Sequence, residues 1–191
     1  GLISANPCDR LDAPVLPFPA EKRALSDEEV RALVGAAAER PIAAAISVAL
    51  STGLRRGELL ALKWADIDLD AGQFTVRRSA RHFAGRGVVL TEVKTRHARR
   101  TIELSPKAIR VLRRHRREQN RTRLRLGPVW RNHDLVFPSR TGTPWEPHNF
   151  WRAFKRIAQR AEVDRPHEIS PHTLRHTAAT MWIQAGEDLH T

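Results

Sequence analysis

Two residues near the end of the chain are of types that bind phosphate, and their spacing lets them act together. His172 and Arg175 lie three positions apart within SPHTLRHTAAT, residues 170–180, which puts both side chains on one face of a helix. Ser170 is a typical N-cap and Pro171 a typical first residue, so this helix would begin beside the pair. Free N–H groups and the helix dipole favour an anion there. The segment predicts a phosphate site, or a surface helix that happens to carry these residues.

A second candidate cation, Arg55, stands in LRRGELLALKW, residues 54–64. Gly53 is suited to end the preceding helix in a left-handed conformation, and the leucines of the segment predict a short helix after it. Arg55 and Glu58 are one helical turn apart. Two interpretations are open: Arg55 points into a cleft at the bend between two helices, or it forms a surface ion pair with Glu58 that is worth only a few tenths of a kcal/mol.

A third candidate, Lys94, begins the basic run KTRHAR between two predicted strands. It would occupy a hairpin loop, together with Arg96. A run of this kind is usually a solvated face. Above a bound phosphate, however, the same loop could lower a lysine into a reaction centre.

The composition points to a polyanionic partner. The chain carries 33 Lys and Arg against 21 Asp and Glu, a net charge of +12, and 41% of its residues are hydrophobic, which is enough for a core. No apolar run reaches the roughly 18 residues of a membrane span, and no signal peptide is evident. Nucleic acid is therefore the expected partner, without a membrane.

Cysteine and histidine usage excludes two further classes. Cys8 is the single cysteine, so no internal disulfide framework exists and a reducing cytoplasm is expected. His172 and His176 have a spacing that zinc ligands use, but no Cys or acidic residue nearby completes a set. We therefore expect no metal and no other cofactor. The chain contains no tyrosine.

Hydrophobic periodicity predicts a mainly helical α+β fold with a small three-stranded antiparallel sheet. Residues 1–24, with four prolines, are typical of a linker, and residues 25–191 form the domain. The first predicted helices are one capped by Ser26 and Glu29, one from Pro41 to Gly53, and the short helix after Arg55. Three strands follow, over residues 74–80, 88–93 and 99–104. The remaining elements are a helix from Lys107 with a basic connector over Asn120 to Gly127, an extended run over residues 135–139, a strongly periodic helix from Phe150 to Ala161, and the Ser170 helix up to Gly186.

The order of these signals resembles the catalytic domain of the tyrosine recombinase (phage integrase) family. An arginine in TGLRRGE follows the second helix, a lysine stands in a β-loop, and HTLRH lies on a late helix. The resemblance covers residues 25–191, and residues 7–24 look like the linker from the family's N-terminal core-binding domain. It implies that Arg55, Lys94, His172 and Arg175 are catalytic, that Glu58 and His176 support them, and that Arg56, Arg96, Arg99 and Arg100 contact DNA.

What the resemblance implies chemically fits these residue types. A tyrosine hydroxyl would attack a DNA phosphodiester and form a 3′-phosphotyrosine with release of a 5′-hydroxyl. Two guanidiniums suit the charge of the phosphorane because each forks onto two oxygens and keeps its proton. Lys94 would donate a proton to the leaving oxygen, and His172 would accept one from the nucleophile. The resemblance further implies specific recombination sites in double-stranded DNA, a homo-tetramer on DNA and a cytoplasmic, nucleoid-associated location.

The sequence departs from the family in one respect. The family pattern continues after the position of Thr191 with a glycine-histidine segment, a further histidine or tryptophan, and the nucleophilic tyrosine, so the C-terminal part of the domain is expected to be missing. Two hypotheses follow: the catalytic domain of a recombinase, or a DNA-binding remnant that does not cut. Retention of both Arg55 and Arg175 favours the enzyme. Either way, Arg55, Lys94, His172 and Arg175 are predicted to converge on one basic cleft.

Overall fold

A computed structural model describes residues 23–93 and 99–185. Lys94, Arg96 and the helix end predicted at Gly186 lie outside the described residues. The described helices are α1 (Asp27–Ala37), α2 (Ala43–Thr52), α3 (Arg56–Ala61), α4 (Pro106–Leu126), α5 (Pro147–Arg160) and α6 (Pro171–Gln184), with 3₁₀ turns at Trp64–Asp66 and Gly127–Val129. The described strands are β1 (Ile67–Asp68), β2 (Gln73–Val76), β3 (Arg78–Phe83), β4 (Gly87–Glu92) and β5 (Arg100–Glu103).

Helix α2 forms the centre of the domain, since α1, α3, α4 and α6 all pack against it. Most of its side chains are buried, as the apolar stripe from Ile42 predicted. Its start differs from the prediction: α2 begins at Ala43, and Pro41 lies in the turn from α1. The reason is local, because the Ala43 N–H donates to the Arg40 carbonyl and closes that turn.

Helices α1 and α6 begin with the predicted caps. The Ser26 hydroxyl accepts a hydrogen bond from the Glu29 N–H, and the Glu29 carboxylate accepts one from the Ser26 N–H. The Ser170 hydroxyl accepts from the His172 N–H at 3.2 Å, and the Ser170 N–H donates to the Thr173 hydroxyl at 2.9 Å. These bonds satisfy N–H groups that have no partner inside the helix. They fix where α6 starts, and hence the position of its first turn.

The small antiparallel sheet is confirmed, but the strands combine differently from the prediction. Residues 74–80 are not one strand. β2 pairs with β1 and β5, whereas β3 pairs with β4 in a separate two-stranded sheet. Arg77 separates β2 from β3, and the guanidiniums of Arg77 and Arg78 both contact the Asp66 carboxylate, at 3.3 and 2.7 Å. Neighbouring side chains of a regular strand point to opposite faces, so a shared partner requires a break. β4 and β5 therefore belong to different sheets, and the predicted hairpin between them is wrong.

Helix α4 also differs from the prediction, since the basic connector proposed for Asn120 to Gly127 is largely helical. Arginine and leucine, which make up five of residues 120–126, are good helix formers, which accounts for continuation of the helix over these residues. Gly127, with a φ of +50°, ends the helix. Helix α5 matches its predicted periodicity and buries Phe150, Phe154 and Ile157. No helix within residues 23–93 and 99–185 combines the length and apolarity needed to cross a bilayer.

Candidate phosphate-binding site

A buried carboxylate lies at the centre of the site. Glu58, in the first turn of α3, is only 5% exposed. Its two oxygens accept hydrogen bonds from the Arg55 backbone N–H at 3.0 Å and from Arg55 Nη1 at 3.1 Å. They also accept from Arg100 Nη2 at 2.9 Å and Nη1 at 3.3 Å. The Arg55–Glu58 pair of the sequence interpretation is present, but it is not a surface pair, because Glu58 is buried and also binds Arg100.

Close packing of α3 on β3 brings this carboxylate to its position. A Cβ added to Gly57 would lie 2.4 Å from the Ser79 hydroxyl oxygen and 2.9 Å from the Ala80 carbonyl oxygen. Only glycine therefore allows the helix to approach this strand. On the neighbouring sheet, Arg100 is the register partner of Val76 at the start of β5, which directs it towards α3. A helix and a strand that are distant in sequence thus share one carboxylate.

Helix α6 contributes Arg175 to the same place. Arg175 Nη1 donates a hydrogen bond to the Gly53 carbonyl at 2.5 Å, two residues before Arg55. Gly53 ends α2 with a φ of +58°, the left-handed conformation that the sequence predicted. A Cβ on Gly53 would also lie 3.1 Å from the Trp182 ring, so α6 packs directly on this turn. The structure thus brings Arg175 close enough to Arg55 for their charges to interact, whereas the predicted convergence with Lys94 and His172 stays a prediction.

The electrostatics follow from these contacts. We call Glu58, Arg55, Arg100 and Arg175 the Glu58 cluster. Burial opposes ionisation of Glu58, but hydrogen bonds from Arg100 and Arg55 and the charge of Arg100 outweigh it, so the pKa of this carboxyl lies below its ordinary value. Burial, followed by repulsion from Arg55 and Arg100, lowers the pKa of Arg175, whereas Glu58 acts in the opposite direction.

Two guanidiniums on the Glu58 carboxylate and that of Arg175 near them give the Glu58 cluster a net charge of +2. The Arg55 side chain is 58% exposed, so its N–H groups that do not bind Glu58 face the solvent. The Arg100 side chain is only 23% exposed. Forked N–H groups match the oxygens of a phosphate. The arrangement can therefore hold an anion against donors that are already fixed in place.

The other predicted site residues are placed less closely. His172 lies on the first turn of α6, one turn before Arg175, and it is exposed. His176 directly follows Arg175 and is half-buried. Arg56 is exposed at the start of α3. Arg99 is exposed beside β5, where a shallow cleft is lined by Thr75, Arg77, Arg99, Arg100 and Thr101. Lys94 and Arg96 lie outside the described residues.

Sequence reasoning missed two features of the site. It assigned Arg100 to DNA contact, whereas the structure places it on Glu58, beside Arg175. It also passed over Gly57. The available signal was a glycine inside a helical pattern, which often has a packing reason. Among the described residues, no group of three His, Cys, Asp or Glu side chains is arranged to hold a metal ion.

The fold and the cluster define a mainly helical domain that presents guanidinium groups to an anion. Residues 23–191 match the phage integrase family, and the chain belongs to this family. A tyrosine recombinase XerC-like protein of Caldanaerobacter subterraneus subsp. tengcongensis is 30% identical over 207 residues, which cover 100% of this chain and 52% of the relative. An integrase of Streptomyces ambofaciens is 33% identical over 169 residues, with 87% and 44% covered. The chain spans about half the length of these curated relatives.

Solved structures agree with the family assignment. The crystal structure of XerA recombinase is similar at a TM-score of 0.66 and 26% identity, with 92% of this chain and 55% of that chain covered. The Tn1549 transposon integrase in complex with transposon right end DNA has a TM-score of 0.74 at 21% identity, with 97% and 59% covered, and shows the fold alone. The resemblance to the tyrosine recombinase catalytic domain is thus confirmed.

Proposed function

We propose that this chain belongs to an enzyme that cleaves and rejoins DNA in site-specific recombination, through a 3′-phosphotyrosine intermediate. Because it contains no tyrosine, the chain as given is expected to be inactive in cleavage. The observation that carries the proposal is the Glu58 cluster, in which three arginines lie at one buried carboxylate and give the group a net charge of +2. The family membership and the names of the relatives, which are recombinases and integrases, support the same reading.

In this proposal Arg55 and Arg175 bind the non-bridging oxygens of the scissile phosphate. Both are held before the DNA arrives, Arg55 by Glu58 and Arg175 by the Gly53 carbonyl. Fixed donors stabilise the charge that develops in the transition state without reorganising during the reaction. Glu58 is a positioning residue, and Arg100 is held with Arg55 on its carboxylate. His176 supports the first turns of α6.

The remaining roles concern proton transfer. A tyrosine hydroxyl attacks the phosphorus and gives its proton to His172, the bond to the 5′-oxygen breaks, and Lys94 protonates that oxygen. Reversal of these steps rejoins the strand, so no external energy source is needed. Because the chain contains no tyrosine, the proposal assigns the nucleophile to a polypeptide segment outside these 191 residues.

The proposed partner is double-stranded DNA at specific recombination sites, bound by a homo-tetramer of the complete protein in a cytoplasmic, nucleoid-associated setting. Similar structures include XerH bound to difH substrate and a lambda integrase dimer bound to a core site, which supports DNA as the partner. Arg56, Arg96 and Arg99 would contact the backbone around the cleavage point. A non-cutting DNA-binding protein is the alternative, since the net charge of +12 by itself requires only binding to DNA.

One experiment separates these two functions. The tyrosine-bearing C-terminal segment of the XerC-like relative is appended after Thr191, and the protein is incubated with a randomised library of nicked duplexes. Covalent complexes are then captured under denaturing conditions. We expect capture that requires the appended tyrosine, with its phenylalanine variant as the control. A 5′-end label should stay with the protein, because the bond forms to a 3′-phosphate.

The opposite results are equally informative. Linkage through the 5′ end would contradict the mechanism. DNA binding without any covalent product, while the appended segment is folded, would identify the chain as the non-cutting alternative.

A further inference from the structure

One helix that the proposed reaction does not use has a net charge of +8, two thirds of the net charge of this protein. Helix α4 contains nine cationic side chains and one glutamate, a net charge of +8, against +12 for the whole chain. Such a concentration is not required for folding. Arginines three and four residues apart on a helix repel one another, at a cost of about 0.2–0.5 kcal/mol for each pair.

The arginines of α4 form a continuous row on its outer side. Ala108, Leu112, His115 and Gln119 face the domain, whereas the opposite side carries the row that we call the α4 stripe. Its members follow helical spacing: Arg110, Arg114, Arg117, Arg121 and Arg125. At 1.5 Å per residue the stripe is about 22 Å long. Arg114, Arg117 and Arg121 also line a shallow concavity, together with Glu118.

Acidic residues neutralise little of this charge. Arg114 pairs with Glu118 at 2.8 Å, and Arg113 beside the stripe pairs with Asp70 at 2.8 Å, but all four side chains are more than half exposed. Exposed pairs of this kind contribute little. Within the described ranges, Arg117, Arg121 and Arg125 make no ion pair.

The helix is anchored so that the stripe keeps its shape. His115 Nε2 lies 2.7 Å from the Val136 carbonyl oxygen, and Gln119 Nε2 donates to the Leu135 carbonyl at 2.9 Å. The Trp64 indole N–H donates to Gln119 Oε1 at 2.6 Å. Beyond Gln119 the helix continues for two turns without a fully buried side chain. The stripe therefore extends past the core on a well-anchored helix.

We propose that the α4 stripe is a second DNA-binding surface, which contacts the phosphate backbone of a duplex away from the cleavage point. This inference rests on the proposed function only in taking DNA as the partner. Duplex DNA carries one charge per roughly 1.7 Å of its axis, so a row of about 22 Å faces several phosphates. The stripe points away from α2, whereas the Glu58 cluster lies beyond the C-terminal end of α2.

The chemistry of the stripe favours DNA over an anionic membrane. A helix that lies in a membrane interface needs a free apolar face beside its basic one. The apolar face of α4 is occupied, since Ala108 and Leu112 are buried in the domain. Leu124, which is 83% exposed, is a single residue and no such face. Guanidiniums in a straight row are instead suited to phosphates along a strand.

The test compares two triple variants of the 191-residue chain. Arg117→Gln, Arg121→Gln and Arg125→Gln remove three stripe charges and keep a good helix former at each position. Arg40→Gln, Arg131→Gln and Arg140→Gln remove three exposed charges from the connections between elements. Binding to a 40-base-pair duplex of arbitrary sequence is measured from 50 to 300 mM salt. Circular dichroism checks that each variant is folded.

We expect the log–log salt slope of the stripe variant to be smaller by about 2 to 3, because each lost phosphate contact contributes about 0.9. The control variant should change the slope by less than about 1. Equal slopes for the two variants would overturn the inference and leave the proposed function standing. Absence of DNA binding by the unmodified chain would instead contradict DNA as the partner.

Vesicles of phosphatidylcholine and phosphatidylglycerol test a membrane as the partner. If the stripe variant lost vesicle binding but kept the DNA slope of the unmodified chain, the inference would also be overturned.

Discussion

The Glu58 cluster and the α4 stripe are both rich in arginine, yet they differ in what holds the arginines. In the cluster, a carboxylate that is 5% exposed and the Gly53 carbonyl fix the guanidiniums. On the stripe, the side chains extend into solvent from a helix, and Glu118 is half exposed. The comparison shows that arginine content alone does not fix a guanidinium in place, whereas a buried hydrogen-bonding partner does.

The physical reason is the dielectric around the acidic partner. Two charges about 4 Å apart interact with about 1 kcal/mol in water but several times more strongly near a protein interior. The bonds from Arg55 and Arg100 to Glu58 are therefore stronger than the bond from Arg114 to Glu118, and they outweigh the cost of burying Glu58, whose pKa is lowered. A fixed guanidinium can stabilise the charge of a transition state without reorganising. An exposed guanidinium on the stripe can instead contact any nearby phosphate of a DNA backbone.

The largest expected difference between the two regions concerns cleavage. In the protein extended by the tyrosine-bearing segment, Arg175→Ala should reduce covalent product by about 100- to 1,000-fold, since one fixed donor to the developing charge is lost. Arg117→Ala should leave the yield unchanged at saturating protein. Quantifying covalent complexes on denaturing gels checks both. Cleavage that survives Arg175→Ala would remove the functional distinction between cluster and stripe.

The next difference concerns stability. Glu58→Gln should lower the free energy of unfolding by about 2–3 kcal/mol, because hydrogen bonds to a buried charged group are lost. Glu118→Gln, the matched change on the exposed helix, should stay within about 0.5 kcal/mol. Urea denaturation measures both variants. Similar losses for the two would show that burial does not separate the regions.

The same carboxylate gives the stability a pH dependence. The folded pKa of Glu58 lies below its ordinary value of 4.5, so the unfolded chain binds the proton more readily. The contribution of Glu58 is thus complete above about pH 4.5 and is lost as the pH falls through the folded pKa. The free energy of unfolding, measured by urea denaturation at several pH values in this range, should depend less on pH in Glu58→Gln.

A smaller effect is expected from close packing beneath the cluster. Gly57→Ala should cost about 1–2 kcal/mol, because the new Cβ would press on the Ala80 carbonyl and move α3 away from β3. Gly35→Ala in α1, where nothing lies within 4 Å of the added Cβ, should stabilise by about 0.4–1 kcal/mol. Thermal unfolding distinguishes the two. A neutral Gly57→Ala would mean that the cluster does not depend on this contact.

Local chemistry determined much of the fold. The caps at Ser26 and Ser170, the left-handed Gly53 and the periodicity of α5 could all be predicted, because each depends on residues within one or two helical turns. The motifs around Arg55 and Arg175 predict both as phosphate ligands, and this role stays a prediction. The charge of residues 120–126 predicts a connector, whereas their arginines and leucines are good helix formers and the segment is helical.

Tertiary structure decided what the cluster is. Whether Glu58 forms a surface pair or a buried bridge depends on β5, which brings Arg100 from 42 residues away, and on β3, which Gly57 allows to approach. The break at Arg77 and Arg78 likewise depends on Asp66, a shared partner that no local pattern reveals. The sequence by itself determined which cations the chain carries and where its helices begin. Only the packing of distant segments decided which cations are buried beside a carboxylate, because burial is a property of the whole domain.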